Sequence, residues 1–392
     1  MKLIHTADWH LGRVLKNQDR TPEIEFALKQ ILQHAKDLEV DAVLVAGDIF
    51  DRNNPPVEAE RVAYNFFSQL YEAQIPAVVI AGNHDSSQRI DSLASILSAL
   101  DIHALGKPRL ASNGGVVKIE TRSGLLNVGC MPFISEKRLL KSEDLFEKDQ
   151  GQNLQHYRSR IKAILENLSK GFNDNSVNLV MAHLALDSAL LSKSEREYEC
   201  TGNYALSEQM LPDAQYIALG HFHNPQQIST AKVPAFYSGS LIQVDFGEAN
   251  DKKGFNLIEV EPGRPAQVDF RELILQKPLK EIQVSRKELL DRLSEYINFD
   301  GWLKVIVETD SPEPDLAESI KSSYSQILHF ELKLSGTNKS DKVTHKRILG
   351  LDKFNPNELF EDYWRDIHSS EIPESIRKIF NELYQEASEE RL

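Results

Sequence analysis

Two cysteines in 392 residues leave no disulfide framework, and Cys130 and Cys200 form no Cys-x-x-Cys pair. That excludes a stapled secreted scaffold and a thiolate zinc site, and points to a reducing compartment. No stretch approaches the ~20 consecutive apolar residues of a membrane span. The start, Met1-Lys-Leu-Ile-His-Thr-Ala-Asp, has no secretory apolar segment, so a cytoplasmic protein without membrane contact is expected. No Gly-x-x-x-x-Gly-Lys-[Ser/Thr] sequence occurs, so any ATP dependence must come from another chain. Basic charge is also short. With 45 Lys and Arg against 59 Asp and Glu, the net charge of −14 excludes a general basic surface, and nucleic-acid contacts would have to be local. Internal repeats and low-complexity tracts are absent too.

What the chain has instead is a series of short apolar runs: Leu3 to Ala7, Ala42 to Ala46, Ala77 to Ala81, Val177 to Ala182 and Tyr216 to Leu219. Short, continuous runs of this kind predict strands buried on both faces. Between them, Ile24, Ala27, Leu28, Ile31, Leu32, Ala35 and Leu38 mark one face of a helix that Pro22 opens. Ala59, Val62, Ala63, Phe66, Phe67 and Leu70 mark a second. Alternating strands and helices predict an α/β core whose site lies outside the carboxyl ends of the strands.

Polar residues of one chemical type stand at those ends: Asp8-Trp-His10, Gly47-Asp48, Gly82-Asn83-His84-Asp85, His183 and Gly220-His221-Phe-His223. If the strands run on, period-two alternation puts Asp8 and His10 on one side, and His221 and His223 likewise. Asp48 has two carboxylate oxygens with which to bridge two cations, and Asn83 offers a neutral amide oxygen. A lone histidine at a strand end is usually structural, but a core would not place so many of these groups so regularly. Oxygen donors mixed with imidazole favour manganese, iron or zinc, with manganese the first choice. The remaining histidines, His5 among them, receive no role.

In this order the motifs resemble the calcineurin-type metallophosphoesterase superfamily. His5 to Gly12, Gly47-Asp-Ile-Phe-Asp-Arg52, and Ser238-Gly-Ser240 followed by Phe246 and Lys253-Gly254 resemble its SbcD family, the nuclease subunits of bacterial SbcCD complexes. The resemblance covers residues 1 to about 260. It implies a sandwich of two central sheets flanked by helices. It also implies two divalent metal ions, with Asp8, His10, Asp48 and His223 on one and Asp48, Asn83, His183 and His221 on the other. His84 resembles the family's histidine that stabilises the transition state or protonates the leaving oxygen. Asp85 either orients His84 or holds the loop. The activity implied is double-strand exonuclease and single-strand or hairpin endonuclease action on DNA, in repair, replication and recombination. The alternative on the same core is a phosphatase or small-molecule phosphodiesterase.

Arg13, Lys16, Arg20, Arg52, Arg89, Lys252 and Lys253 follow the metal motifs and are the candidate phosphate contacts; solvated surface charge is the competing reading for each.

The length predicts more than one unit. Residues 1–265 form the expected catalytic domain. Residues 275–335 read strand, helix, strand, helix, strand and predict a small α+β domain. By resemblance this region caps the nuclease core and contacts DNA; otherwise it is a stabilising lid. Residues 336–354 include the polar Gly-Thr-Asn-Lys-Ser-Asp-Lys stretch and read as a linker. Residues 355–392 hold two amphipathic stretches, one with Leu359, Phe360, Tyr363, Trp364 and Ile367, the other with Ile376, Ile379, Phe380, Leu383 and Tyr384. They either fold back on the chain or bind a partner. The resemblance names that partner as an SbcC-type ATPase, in a heterotetramer with two copies of each subunit. It also implies a nuclease homodimer, for which the apolar faces in Tyr64 to Tyr71 and Ile90 to Leu100 are candidates.

Overall fold

The computed structural model describes residues 1–135, 150–190, 205–311, 313, 315–334 and, beyond them, 360, 364, 372–374, 376–378 and 380. Every apolar run named above is a strand. One six-stranded sheet joins β1 (Lys2–Thr6), β4 (Ala42–Val45), β5 (Ala77–Ile80) and β6 (Ile102–Leu105) in parallel, with β13 (Gly254–Glu259) and β14 (Gln267–Glu272) added antiparallel beyond β1. The second has the order β11 (Gln226–Gln227), β12 (Ala235–Tyr237), β10 (Tyr216–Gly220), β9 (Val177–His183), β8 (Gly124–Met131) and β7 (Val116–Thr121).

Side-chain alternation explains why the runs are continuous. In β4, Ala42 and Leu44 enter the layer between the two sheets, while Val43 and Val45 face the helices. In β10, Tyr216 and Ala218 face the first sheet, whereas Ile217 and Leu219 face outward into a separate apolar cluster. Both faces of these two strands are therefore covered by apolar neighbours. The helices α1 (Thr21–Asp37), α2 (Val57–Glu72) and α3 (Ser87–Ser98) pack on the outer face of the first sheet. The buried residues of α1 and α2 include the stripes read from sequence, except that Leu38 lies just past the end of α1 and is partly exposed. On the second sheet, α4 (Gln150–Ser169) contributes Tyr157, Ile161, Leu165 and Leu168. The result is the expected four-layer α/β sandwich. Inside it, His5 is a cross-sheet pin: its ring nitrogens meet the Tyr216 hydroxyl at 2.8 Å and the Leu219 carbonyl at 3.2 Å.

Beyond the sandwich, β15 (Leu279–Ser285), β16 (Trp302–Thr309) and β17 (Ile327–Leu334) form a parallel three-stranded sheet with α5 (Leu289–Ser294) and α6 (Leu316–Ser323) around their own apolar cluster. This region belongs to the same compact unit as the sandwich, Met1–Leu334. A short hairpin of β2 (Val14–Leu15) and β3 (Gln18–Asp19) helps to join them, because Leu15 packs with Phe246 and Leu279. Gln243 accepts the Leu279 N–H at 2.7 Å, and Trp302 donates its indole N–H to Glu23 at 3.0 Å.

Ser335–Leu392 form a second unit. There Phe360 stacks on Phe380 with ring centroids 4.1 Å apart and meets Trp364 at 6.3 Å, so the two amphipathic stretches touch each other. The linker expected at 336–354 lies outside the described residues, as do Leu359, Tyr363, Ile367, Ile379, Leu383 and Tyr384.

Candidate metal centre

The carboxyl ends of β1, β4, β5, β9 and β10 converge, and all seven residues expected as ligands meet there. Period-two alternation is not the cause for Asp8 and His10. β1 ends at Thr6, and both residues lie in the loop after it with φ of 52° each. Asp48 has φ 51° and His221 φ 113°. Left-handed backbone at four non-glycine positions costs about 1–3 kcal/mol each, and the surrounding hydrogen bonds must impose it. They do: Asp8 N–H donates to Gly47 O, His10 N–H to Asp48 O and Leu11 N–H to Ile49 O, each at 3.0 Å. The two sheets are tied at the site when His221 N–H donates to the Asp8 carboxylate at 3.0 Å.

Glycine is required at two of these turns. A Cβ on Gly47, whose φ is +92°, would lie 2.3 Å from His183 Nδ1, and one on Gly220 would lie 1.9 Å from Ala46 O. These glycines let the strand ends approach closely enough for the side chains to meet.

The donor geometry fits divalent cations. His183 Nδ1–H donates to the Ala46 carbonyl at 2.8 Å, so a neutral ring turns the lone pair of Nε2 inward. That nitrogen stands 2.9 Å from Asn83 Oδ1 and 3.5 Å from Asp48 Oδ2, while His221 Nδ1 stands 2.9 Å from the same Asn83 oxygen. On the other side, His223 Nδ1–H donates to Glu248 at 2.9 Å, and its Nε2 faces His10 Nε2 at 3.0 Å. Acceptors converge on acceptors, an arrangement that a cation satisfies better than a few shared protons. Asp8, His10 and His223 form one cluster able to hold an ion, and Asp8, Asp48 and His183 form another. A third cluster is His10, Asp48 and His84, so His84 stands within reach of the same centre.

Protonation states agree with that use. Burial lowers His10 to about 4 and His221 to about 3, and it also lowers His183, so all three rings are neutral at neutral pH, the form able to take a cation. Burial pushes the Asp48 carboxyl upward, but His183, His10 and His84 around it hold it at about 2.

Two profile matches and two relatives place the chain. The Calcineurin-like phosphoesterase family matches residues 1–225, and the Type 5 capsule protein repressor C-terminal domain matches residues 276–367. The SbcD component of nuclease SbcCD from Bacillus subtilis (strain 168) is 30% identical over 400 residues, covering 100% of this chain and 99% of the relative. The chain belongs to the SbcD nuclease family. The corresponding SbcD component from Staphylococcus epidermidis (strain ATCC 12228 / FDA PCI 1200) is 26% identical over 376 residues, covering 95% and 96%. As a member of this family, the chain is a metal-dependent hydrolase of phosphodiester bonds.

For an SbcD-family site, the structure decides between the two expected roles of Asp85 and corrects those of Arg20 and Lys253. Asp85 is not turned to the His84 ring. Its buried carboxylate accepts backbone N–H groups of Gly82 at 2.8 Å, Phe50 at 3.0 Å and Ile49 at 3.2 Å, and so clamps the two loops that carry Asp48 and Asn83. Burial and the Asp48 carboxylate push Asp85 up to about 7 against those bonds. The group that orients His84 is the Asp51 carbonyl, which accepts from Nδ1–H at 2.9 Å.

Arg20 and Lys253 are not surface cations. The Arg20 side chain is 0% exposed and donates to both carboxylate oxygens of Glu23, at 2.5 and 2.6 Å. The Lys253 side chain is also 0% exposed and pairs with Glu248 at 2.8 Å. The other candidates stay near the surface. Arg13 pairs with Asp51 at 3.2 Å, Arg89 with Glu60 at 2.6 Å and Lys252 with Glu272 at 2.8 Å, while Lys16 and Arg52 are exposed.

Three further residues shape the site without having been singled out. Glu248 holds His223, Asp51 holds His84 and Arg13, and Phe133 stacks on His221 with centroids 6.5 Å apart. Glu248 follows Phe246 by two positions in a segment of mixed character, and only its distance from His223 in space reveals it.

Proposed function

We propose that Asp8, His10, Asp48 and His223 hold one divalent cation, that Asp48, Asn83, His183 and His221 hold a second, and that the pair, best filled by Mn2+, serves cleavage of DNA. The observation that carries this reading is the convergence of inward-facing imidazole nitrogens on the Asn83 and Asp48 oxygens. Bound here, the two cations supply Lewis-acid polarisation of the phosphodiester and a nucleophile at neutral pH. The chain's own residues do the remainder. His84 packs edge-on to His10 at 4.8 Å with Nδ1 held at the Asp51 carbonyl, and its Nε2 would share or deliver a proton at the leaving oxygen. His84 N–H also donates to Asp48 Oδ1 at 2.8 Å, which fixes the shared carboxylate relative to the catalytic ring.

DNA is the substrate we infer, cut exonucleolytically at duplex ends and endonucleolytically at hairpins, with Lys16, Arg52 and the surface-paired Arg13, Arg89 and Lys252 as phosphate contacts. The capping region at 275–335, the ATPase partner of SbcC type, a heterotetramer with two copies of each subunit, a nuclease homodimer and a cytoplasmic, nucleoid-associated location complete the reading. For the homodimer, most of the candidate α2 and α3 faces is core, and Tyr71 at 42% and Ile96 at 64% exposure are the large apolar groups left outside. Among the described residues no helix is long and apolar enough to cross a membrane.

The test is incubation of the chain, with and without an SbcC-type ATPase and ATP, with end-labelled duplex and hairpin DNA in Mn2+. Cleavage that His84→Ala abolishes is expected. Rapid phosphomonoester turnover without DNA cleavage under any condition would assign the core to small substrates instead.

A further inference from the structure

We propose that Glu248 and Lys253 form a buried ion pair that positions His223, and that this pair makes the two cation sites unequal by strengthening the one His223 serves. The proposal rests on the ligand reading above and adds two positioning residues to it.

His223 lies in the loop after β10, where no strand fixes its ring. Two neighbours do so instead. Glu248 Oε1 accepts His223 Nδ1–H at 2.9 Å, which directs the ring and leaves Nε2 facing His10. Lys253 Nζ donates to the His223 backbone carbonyl at 2.9 Å, so the same residue is gripped from its main chain as well. Glu248 Oε2 accepts Lys253 Nζ at 2.8 Å and Val244 N–H at 3.1 Å, and Lys253 also donates to Ser240 Oγ at 3.0 Å. Both charged side chains are 0% exposed. Removing two charges from water costs several kcal/mol per ion, and a fold keeps such a pair only where its geometry is closely satisfied. Here the satisfied geometry ends on one imidazole.

The other side of the centre is built differently. Among the described residues, the acceptor of His183 Nδ1–H is neutral, the Ala46 carbonyl at 2.8 Å. A carboxylate accepting the distal N–H makes an imidazole a stronger ligand than a carbonyl does, and loss of such a supporting group typically lowers metal affinity by about 10–100-fold. The carboxylate-backed site is therefore the tighter of the two.

The experiment is calorimetric titration of Mn2+ into the metal-stripped full chain, with 15N histidine spectra of the same metal-free samples reporting the His223 tautomer. Glu248→Gln is expected to weaken one site by about 10–100-fold, leave the other unchanged, and convert His223 from a single Nδ1–H form to a tautomer mixture. Lys253→Met should act in the same direction, and the double variant should be no worse than either single one. Equal weakening of both sites, or no change at either, overturns the proposal. His223→Ala separates it from the ligand reading. If that variant keeps both sites, His223 is no ligand; if it loses one while Glu248→Gln and Lys253→Met lose nothing, the positioning role is wrong.

Discussion

Arg20 offers the sharpest contrast between a sequence-based expectation and the fold. Read as a phosphate contact, its removal should leave stability untouched and lower the salt dependence of DNA binding by a slope of about 0.9. In the structure its guanidinium is 0% exposed, donates twice to Glu23 and once to Gln243 O at 3.1 Å, and lies beside the Trp302–Glu23 hydrogen bond that fastens β16. Arg20→Met strips the partner from a buried carboxylate, which costs about 3–5 kcal/mol. Removing both charges in Arg20→Met/Glu23→Met relieves the uncompensated charge and sacrifices the Trp302 bond, worth about 1 kcal/mol, so the double variant should recover most of the loss. Urea unfolding followed by circular dichroism measures both. A single variant within about 1 kcal/mol of the parent, coupled with a reduced salt slope in DNA binding, would refute the buried-pair account.

Stability should also fall with acid through His5. Burial lowers its folded pKa to about 3 from 6.5, so the unfolded state binds the proton first; stability is full above pH 6.5 and declines as pH falls toward 3. Between pH 7 and pH 5 this one group removes about 2 kcal/mol, and His5→Gln should flatten the urea midpoint against pH in chelator by that amount. His10 and His221 shift the same way in the metal-free chain, so a residual slope is expected in the variant. Gly47→Ala, with a Cβ 2.3 Å from His183 Nδ1 at φ +92°, should lose the second cation in titration even where the protein still folds. Lys16→Ala and Arg52→Ala should each weaken DNA binding uniformly across sequences and reduce the salt slope by about one, whereas Lys252→Ala, already paired with Glu272, should change it less.

How much of this was readable beforehand follows from the distance over which each cause acts. Strands such as Ala42–Val45 and the α1 and α2 stripes are local patterns with one solution, and they formed where the periodicity placed them. The candidate ligands were legible because each stands at or just beyond the end of such a strand. Their geometry was not, since left-handed φ at Asp8, His10 and Asp48 is imposed by hydrogen bonds between loops far apart in sequence. The same reason left Asp85's two roles undecided and hid Asp51's hold on His84: spacing shows that a carboxylate is near, and packing decides which atoms it meets. Charge was the least legible property. Arg20 and Lys253 read like Lys16 and Arg52 along the chain, and only the carboxylates brought to them by folding, Glu23 and Glu248, show that two of the four are interior.

One paired measurement on His84→Ala tests whether the strand ends build a two-cation centre in which His84 acts on substrate without holding metal. Mn2+ bound per chain and cleavage of end-labelled duplex DNA are determined on the same preparation. Two ions bound, as in the parent, and cleavage reduced by about 100-fold or more, the scale of a lost acid–base group, are expected. One ion in the variant would make His84 a ligand, and undiminished cleavage with two ions would remove it from the chemistry; either result contradicts the assignment.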